Sequence, residues 1–193
     1  MKPIIISPTT PSKGTVIFLH GLGDTGAGWA MQWEELSGGK YKVILPTAPK
    51  SPVTLNGGYR MTSWHDICGL ETIDDEKTET FAGIEENRKF VEDLITTEIN
   101  AGTPAEKIIL GGFSQGAALS LYTGTQSNTK IGGIIALSGY LPHHQRFDQT
   151  TVKQKEVPIF VGHGTADQVV HHDKGKRAAD TLKTCGRGEI RRK

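Results

Sequence analysis

Apolar residues fall into short β-branched runs separated by longer segments with helical spacing. The runs TVIFLH (15–20), KVILP (42–46), KIILGGF (107–113), IGGIIALSG (131–139) and VPIFVGHG (157–164) show no polar alternation. Strands covered on both faces, as in a parallel sheet, read this way. Between them, helical patterns cover residues 27–37, about 76–101, the segment after Ser114, and about 172–184. In the long one, Phe81, Ile84, Val91, Leu94, Ile95 and Ile99 recur on one face, and Gly102 and Pro104 end it. Strands alternating with helices predict a three-layer α/β fold whose ligand site lies at the carboxyl ends of the strands. The Pro/Gly-bearing stretch 46–63 is expected to be the longest loop and to border that site.

The chain has 193 residues, an ordinary size for one domain built on one core, so residues 1–193 are expected to form a single domain. Lys plus Arg number 22 against 21 Asp plus Glu, and no basic stripe is present, which argues against nucleic acid as a partner. The apolar run near the start, Ile4 to Ile6, is too short for a signal-peptide core, and no stretch has the length of a membrane span. A cytoplasmic chain is the expectation. Cys68 and Cys185 lack the spacing of a zinc site and are too few for a disulfide scaffold, so both read as reduced structural thiols.

Two strand ends carry glycine-rich clusters that need weighing. The first, HGLGDTGAG, contains a formal G-x-G-x-x-G at Gly21, Gly23 and Gly26. A dinucleotide site would also need an acid at the end of the next strand, where Pro46 and Thr47 stand. The alternative is a sharp turn that points a backbone N–H, that of Leu22, at a reacting oxyanion. The second cluster, GGFSQG, has the outer spacing of a phosphate loop, but Ala117 and Ala118 occupy its Lys and Ser/Thr positions. What remains is the G-x-S-x-G pattern Gly112, Phe113, Ser114, Gln115, Gly116 between a buried strand and a helix. That context makes Ser114 a candidate nucleophile on a strained turn, with the N–H of Gln115 as a second oxyanion donor. A hydroxyl needs a histidine base and a carboxylate to orient it, in chain order Ser, Asp, His. Asp167, in the turn after the strand at 157–164, is the favoured acid; Asp148 is its rival but follows no strand.

The blocks VIFLHGLGDTGAGW, SWHDICGL, IILGGFSQGAALSLYTG, ALSGYLP and GHGTADQVV together resemble the acyl-protein thioesterase and small carboxylesterase family, α/β-hydrolases that include lysophospholipase-like enzymes. The likeness runs from about residue 14 to about residue 185. It implies a three-layer α/β-hydrolase fold with a mostly parallel central sheet, Ser114 as nucleophile, Asp167 as acid, and Leu22 and Gln115 as oxyanion donors. It further implies that the loop into SWHD and the SGYLP turn border an acyl-chain channel. The implied activity is hydrolysis of fatty thioesters on S-acylated cytosolic proteins and of small esters or lysolipids, with transient membrane-surface contact and no metal or organic cofactor.

The family's histidine follows one more helix and strand, whereas residues 173–193 contain none. EIRRK is expected either to begin that last strand, with the strand and final helix truncated, or to be unrelated sequence. A catalytically impaired form that binds acyl chains is therefore the alternative reading. Of the seven histidines present, His20 and His163 are expected to pack behind the site and His65 to be a partly buried loop residue. His143 and His144 are expected to face solvent. His171 and His172 are the substitutes for the base nearest Asp167.

Overall fold

The structure, a computed structural model, describes residues 2–73, 75, 77–185 and 190–192. Among the described residues, nine strands and four α-helices follow in chain order: β1 (Ile4–Ile6), β2 (Thr15–Leu19), α1 (Ala30–Ser37), β3 (Lys42–Leu45), β4 (Lys50–Val53), β5 (Tyr59–Thr62), α2 (Ile84–Asn100), β6 (Ile108–Phe113), α3 (Gln115–Gln126), β7 (Gly133–Leu137), β8 (Ile159–Gly162), α4 (His172–Thr184) and β9 (Ile190–Arg192). Seven strands form one sheet in the order β1-β3-β2-β6-β7-β8-β9. Every neighbouring pair is parallel except β1 with β3. The expected strands thus assemble as a parallel sheet, with one short antiparallel edge that the three-residue run at Ile4 was too brief to announce.

Strand alternation divides the core in two. Ile17, Leu19, Ile108, Leu110, Ile134, Ala136, Ile159 and Val161 form one cluster with residues of α2, α3 and α4. The opposite face presents Val16, Phe18, Val43 and Leu45 to Trp29 and Trp33 of the α1 region. Because β2 and β6 are covered on both faces, almost every side chain on them is apolar or glycine, which is why they read as continuous apolar runs. Of EIRRK, Ile190–Arg192 form β9, with Ile190 opposite Ile159 and Arg191 opposite Phe160, while Glu189 and Lys193 lie outside the described residues.

Two local expectations are corrected. The long helix begins at Ile84, not near 76. Phe81 and Gly83 have φ of 51° and 90°, left-handed values that break helical geometry. Tertiary contacts impose that break: Phe81 is buried against His65, Tyr140 and His143. Glu79, also buried, accepts the N–H groups of Cys68 and Gly69. The stretch 46–63 is not an open loop but carries the hairpin β4–β5, with Lys50 opposite Thr62 and Val53 opposite Tyr59.

Candidate active site

Strand order brings the carboxyl ends of β2, β6, β7 and β8 side by side, carrying respectively His20 to Leu22, Ser114, Ser138 and the turn with Asp167. Ser114 stands between β6 and α3 with φ 53° and ψ −118°. A non-glycine residue held there stores about 1–3 kcal/mol of backbone strain. The turn is fixed from both sides, since Ser114 N–H donates to Leu137 C=O at 2.8 Å and Ser114 C=O accepts from Ala118 N–H at 3.0 Å. A Cβ on Gly112 would lie 2.3 Å from the Gly116 carbonyl carbon, and one on Gly116 would lie 2.2 Å from Leu19 O. Both glycines of the motif are therefore required by close backbone approach.

The turn after β2 lies directly against Ser114. A Cβ on Gly21 would meet Ser114 Cβ at 3.4 Å. Gly23 N–H donates to Thr62 C=O, the Thr62 hydroxyl donates to Asp24 C=O, and Thr47 Oγ1 accepts from Gly26 N–H. Thr47, at the position where a dinucleotide site needs a ribose-holding acid, is thus occupied with bracing this turn. Leu22 packs its side chain on the core beneath. Gln115 is the first residue of a 12-residue helix, so its N–H has no acceptor within the helix and lies at the positive end of the helix dipole.

Asp167 lies in the turn after β8, where its Oδ1 accepts N–H bonds from Val169 (2.9 Å) and Val170 (3.0 Å) and its Oδ2 is 3.5 Å from His163 Nε2. Burial pushes its pKa up, but those two N–H groups, His163 and the Ser138 hydroxyl outweigh it and hold the carboxyl below its ordinary range. Asp148, the rival, is exposed and directs one oxygen to Thr150 and Thr151 of its own turn, which drops its pKa to about 2. It faces no strand end.

The histidines depart from expectation at two places. His65 is fully buried, not partly, with Nε2 2.6 Å from the Tyr140 hydroxyl; this bond joins the SWHD and SGYLP segments. His143 and His144 are half-buried rather than solvated, the His143 ring lying 4.7 Å from that of Phe81. His20 is completely buried and His163 largely so, with His163 Nε2 bonded to Val170 C=O at 2.7 Å. His171 and His172 are exposed at the start of α4, and among the described residues no histidine ring is hydrogen-bonded to the Ser114 hydroxyl. Burial raises the pKa of both thiols, so Cys68 and Cys185 stay in the protonated form.

Two contributors were not anticipated. The Gln115 side chain is wholly buried: its Oε1 accepts Trp64 N–H at 2.8 Å, and its Nε2 donates to Ser63 Oγ (3.0 Å) and His65 C=O (2.7 Å). No sequence signal marks a polar side chain at a helix start as interior. Ser138 could have been found, since it follows an apolar strand at the same edge as Ser114.

The sequence matches the Phospholipase/Carboxylesterase family over residues 1–192. It is 48% identical over 182 residues to acyl-protein thioesterase 1 homolog 1 of Dictyostelium discoideum, covering 92% of this chain and 79% of that one. It is 47% identical over 173 residues to acyl-protein thioesterase 1 of Yarrowia lipolytica, covering 87% and 75% of the two chains. A crystal structure of acyl-protein thioesterase 2 from Zea mays superposes with a TM-score of 0.81 at 30% identity, covering 100% of this chain and 88% of that one. The architecture is that of the α/β-hydrolases.

Proposed function

The chain belongs to the phospholipase/carboxylesterase family of ester and thioester hydrolases, and from that premise we propose that it is a single-domain serine hydrolase acting on fatty-acyl thioesters of S-acylated proteins and on small acyl esters or lysolipids. The observation that carries this is the strained turn at Ser114, pressed against the Gly21–Leu22 turn at the carboxyl edge of the sheet. Ser114 Oγ attacks the acyl carbonyl and its proton passes to a base. The carbonyl oxygen, now an oxyanion, is held by the N–H groups of Leu22 and Gln115, each such donor being worth about a hundredfold in rate. The C–S bond breaks, the thiolate takes the proton from the base, and water repeats the cycle on the acyl-enzyme to release the fatty acid. Asp167 is kept ionised by its N–H donors, as the acid that orients a histidine base and stabilises its imidazolium must be. The SWHD and SGYLP segments, joined by His65 and Tyr140, border the acyl chain. Among the described residues no helix is long and apolar enough to cross a membrane. From the family resemblance we propose that the protein works in the cytoplasm and meets acylated substrates transiently at membrane surfaces.

One observation favours a second reading, a form that binds acyl chains and turns them over poorly: among the described residues no histidine is hydrogen-bonded to the Ser114 hydroxyl. Hydrolysis of a palmitoyl thioester decides between them. Turnover that disappears in Ser114→Ala supports the hydrolase. Tight binding of the acyl group with no more product than Ser114→Ala gives supports the binding form.

A further inference from the structure

We infer that His20 is a positioning residue that aims the Leu22 N–H at the acyl oxygen by fixing the peptide plane between Gly21 and Leu22; this rests on the oxyanion role proposed above for Leu22. The backbone N–H of Ala48 donates to His20 Nε2 at 3.0 Å. A backbone N–H can only donate, so Nε2 carries a lone pair, and the proton of the neutral ring sits on Nδ1. Nδ1 then donates to the Gly21 carbonyl at 2.6 Å. That carbonyl and the Leu22 N–H belong to one planar trans peptide and point in opposite directions. Holding the oxygen against the His20 ring therefore turns the N–H away from the ring. Asp24 N–H adds a weaker hold on the same oxygen at 3.2 Å.

The ring itself cannot drift. His20 is fully buried, its ring centroid lies 5.1 Å from that of Trp64, and Trp64 Nε1 donates to the His20 carbonyl at 2.8 Å. Trp64 is held in turn by the Gln115 side chain. Burial lowers the pKa of His20, so the ring stays neutral and keeps the lone pair that Ala48 needs. The neutral imidazole offers its acceptor to Ala48 and its donor to Gly21 at once. Were the Gly21 peptide to rotate by half a turn, a carbonyl oxygen would replace the donor and repel the developing oxyanion.

Two measurements test this. Nitrogen-15 NMR of the imidazoles near neutral pH should show His20 neutral with its proton on Nδ1; an Nε2-protonated ring overturns the inference whatever the activity. In palmitoyl-thioester hydrolysis, His20→Leu should lower kcat by about a hundredfold with KM little changed, and His20→Asn, which keeps a donor near the Nδ1 position, should recover part of that loss. Equal kcat in Leu and Asn variants, or a loss matched by the fraction unfolded, refutes the role. Ser114→Ala separates the two claims. Hydrolysis that survives it refutes the serine-hydrolase reading and leaves the His20 tautomer to be judged by NMR. Hydrolysis abolished by it but untouched by His20→Leu refutes the His20 inference alone.

Discussion

Acid should destabilise this protein through His65. Burial, and less strongly the neighbouring His143, push its pKa from 6.5 down to about 3, with Asp66 acting weakly in the opposite direction. The ring is enclosed by Tyr140 and Phe81. Because the folded value lies below the unfolded one, the unfolded chain takes the proton first. The stability from keeping His65 neutral is complete above pH 6.5 and is lost as pH falls from there toward about 3. At pH 5 the unfolded side chain is almost fully protonated and the folded one is not, a difference of about 2 kcal/mol. For a chain of this size that lowers the unfolding midpoint by about 4–8 °C. The comparison is thermal unfolding at pH 7.5 and pH 5 for the wild type and His65→Gln, whose amide can still partner the Tyr140 hydroxyl but does not titrate. Subtracting the variant removes the contribution of His20, which is also depressed by burial. If both proteins lose the same stability between the two pH values, the linkage to His65 is wrong.

Gly116→Ala would place a methyl 2.2 Å from Leu19 O and 2.6 Å from His20 O, backbone atoms that cannot swing aside; it should cost about 1–3 kcal/mol by denaturant titration and depress hydrolysis by displacing the oxyanion turn. Gly164→Ala, with nothing within 4 Å of the added methyl, should stay within about 0.5 kcal/mol of wild type in the same titration. Gln115→Ala leaves the buried Trp64 N–H without its acceptor and should cost about 1–3 kcal/mol in urea unfolding. Asp167→Asn should slow thioester hydrolysis by on the order of 10⁴-fold, while the same change at Asp148 should leave the rate unaltered; the reverse pattern would exchange their roles.

The sequence made the buried strands and the nucleophile turn legible because both are dictated locally. Strands such as β6 are covered on both faces and so are apolar throughout, and the Ser114 turn admits only glycine at positions 112 and 116. What stayed hidden depends on partners distant in the chain. The start of α2 is set by Phe81 docking on His65 and Tyr140, contacts that helical periodicity does not contain. The hairpin β4–β5 was masked by Pro52 within a strand, although Asn56-Gly57-Gly58 is a turn signal that could have revealed it. Asp167 was legible as a candidate acid from its place after β8, but the groups that hold its carboxyl, Ser138 and His163, come from a neighbouring strand end and from the start of its own loop. His143 was misjudged as solvated because its polar neighbours conceal the packing on Phe81.

The central claim is that Ser114 is an activated nucleophile. Incubation with an alkyl fluorophosphonate, followed by peptide mass mapping, addresses it without requiring a chosen substrate. A single covalent adduct is expected on the peptide carrying Ser114, absent from Ser114→Ala. An unlabelled chain, or an adduct on another residue, would contradict it.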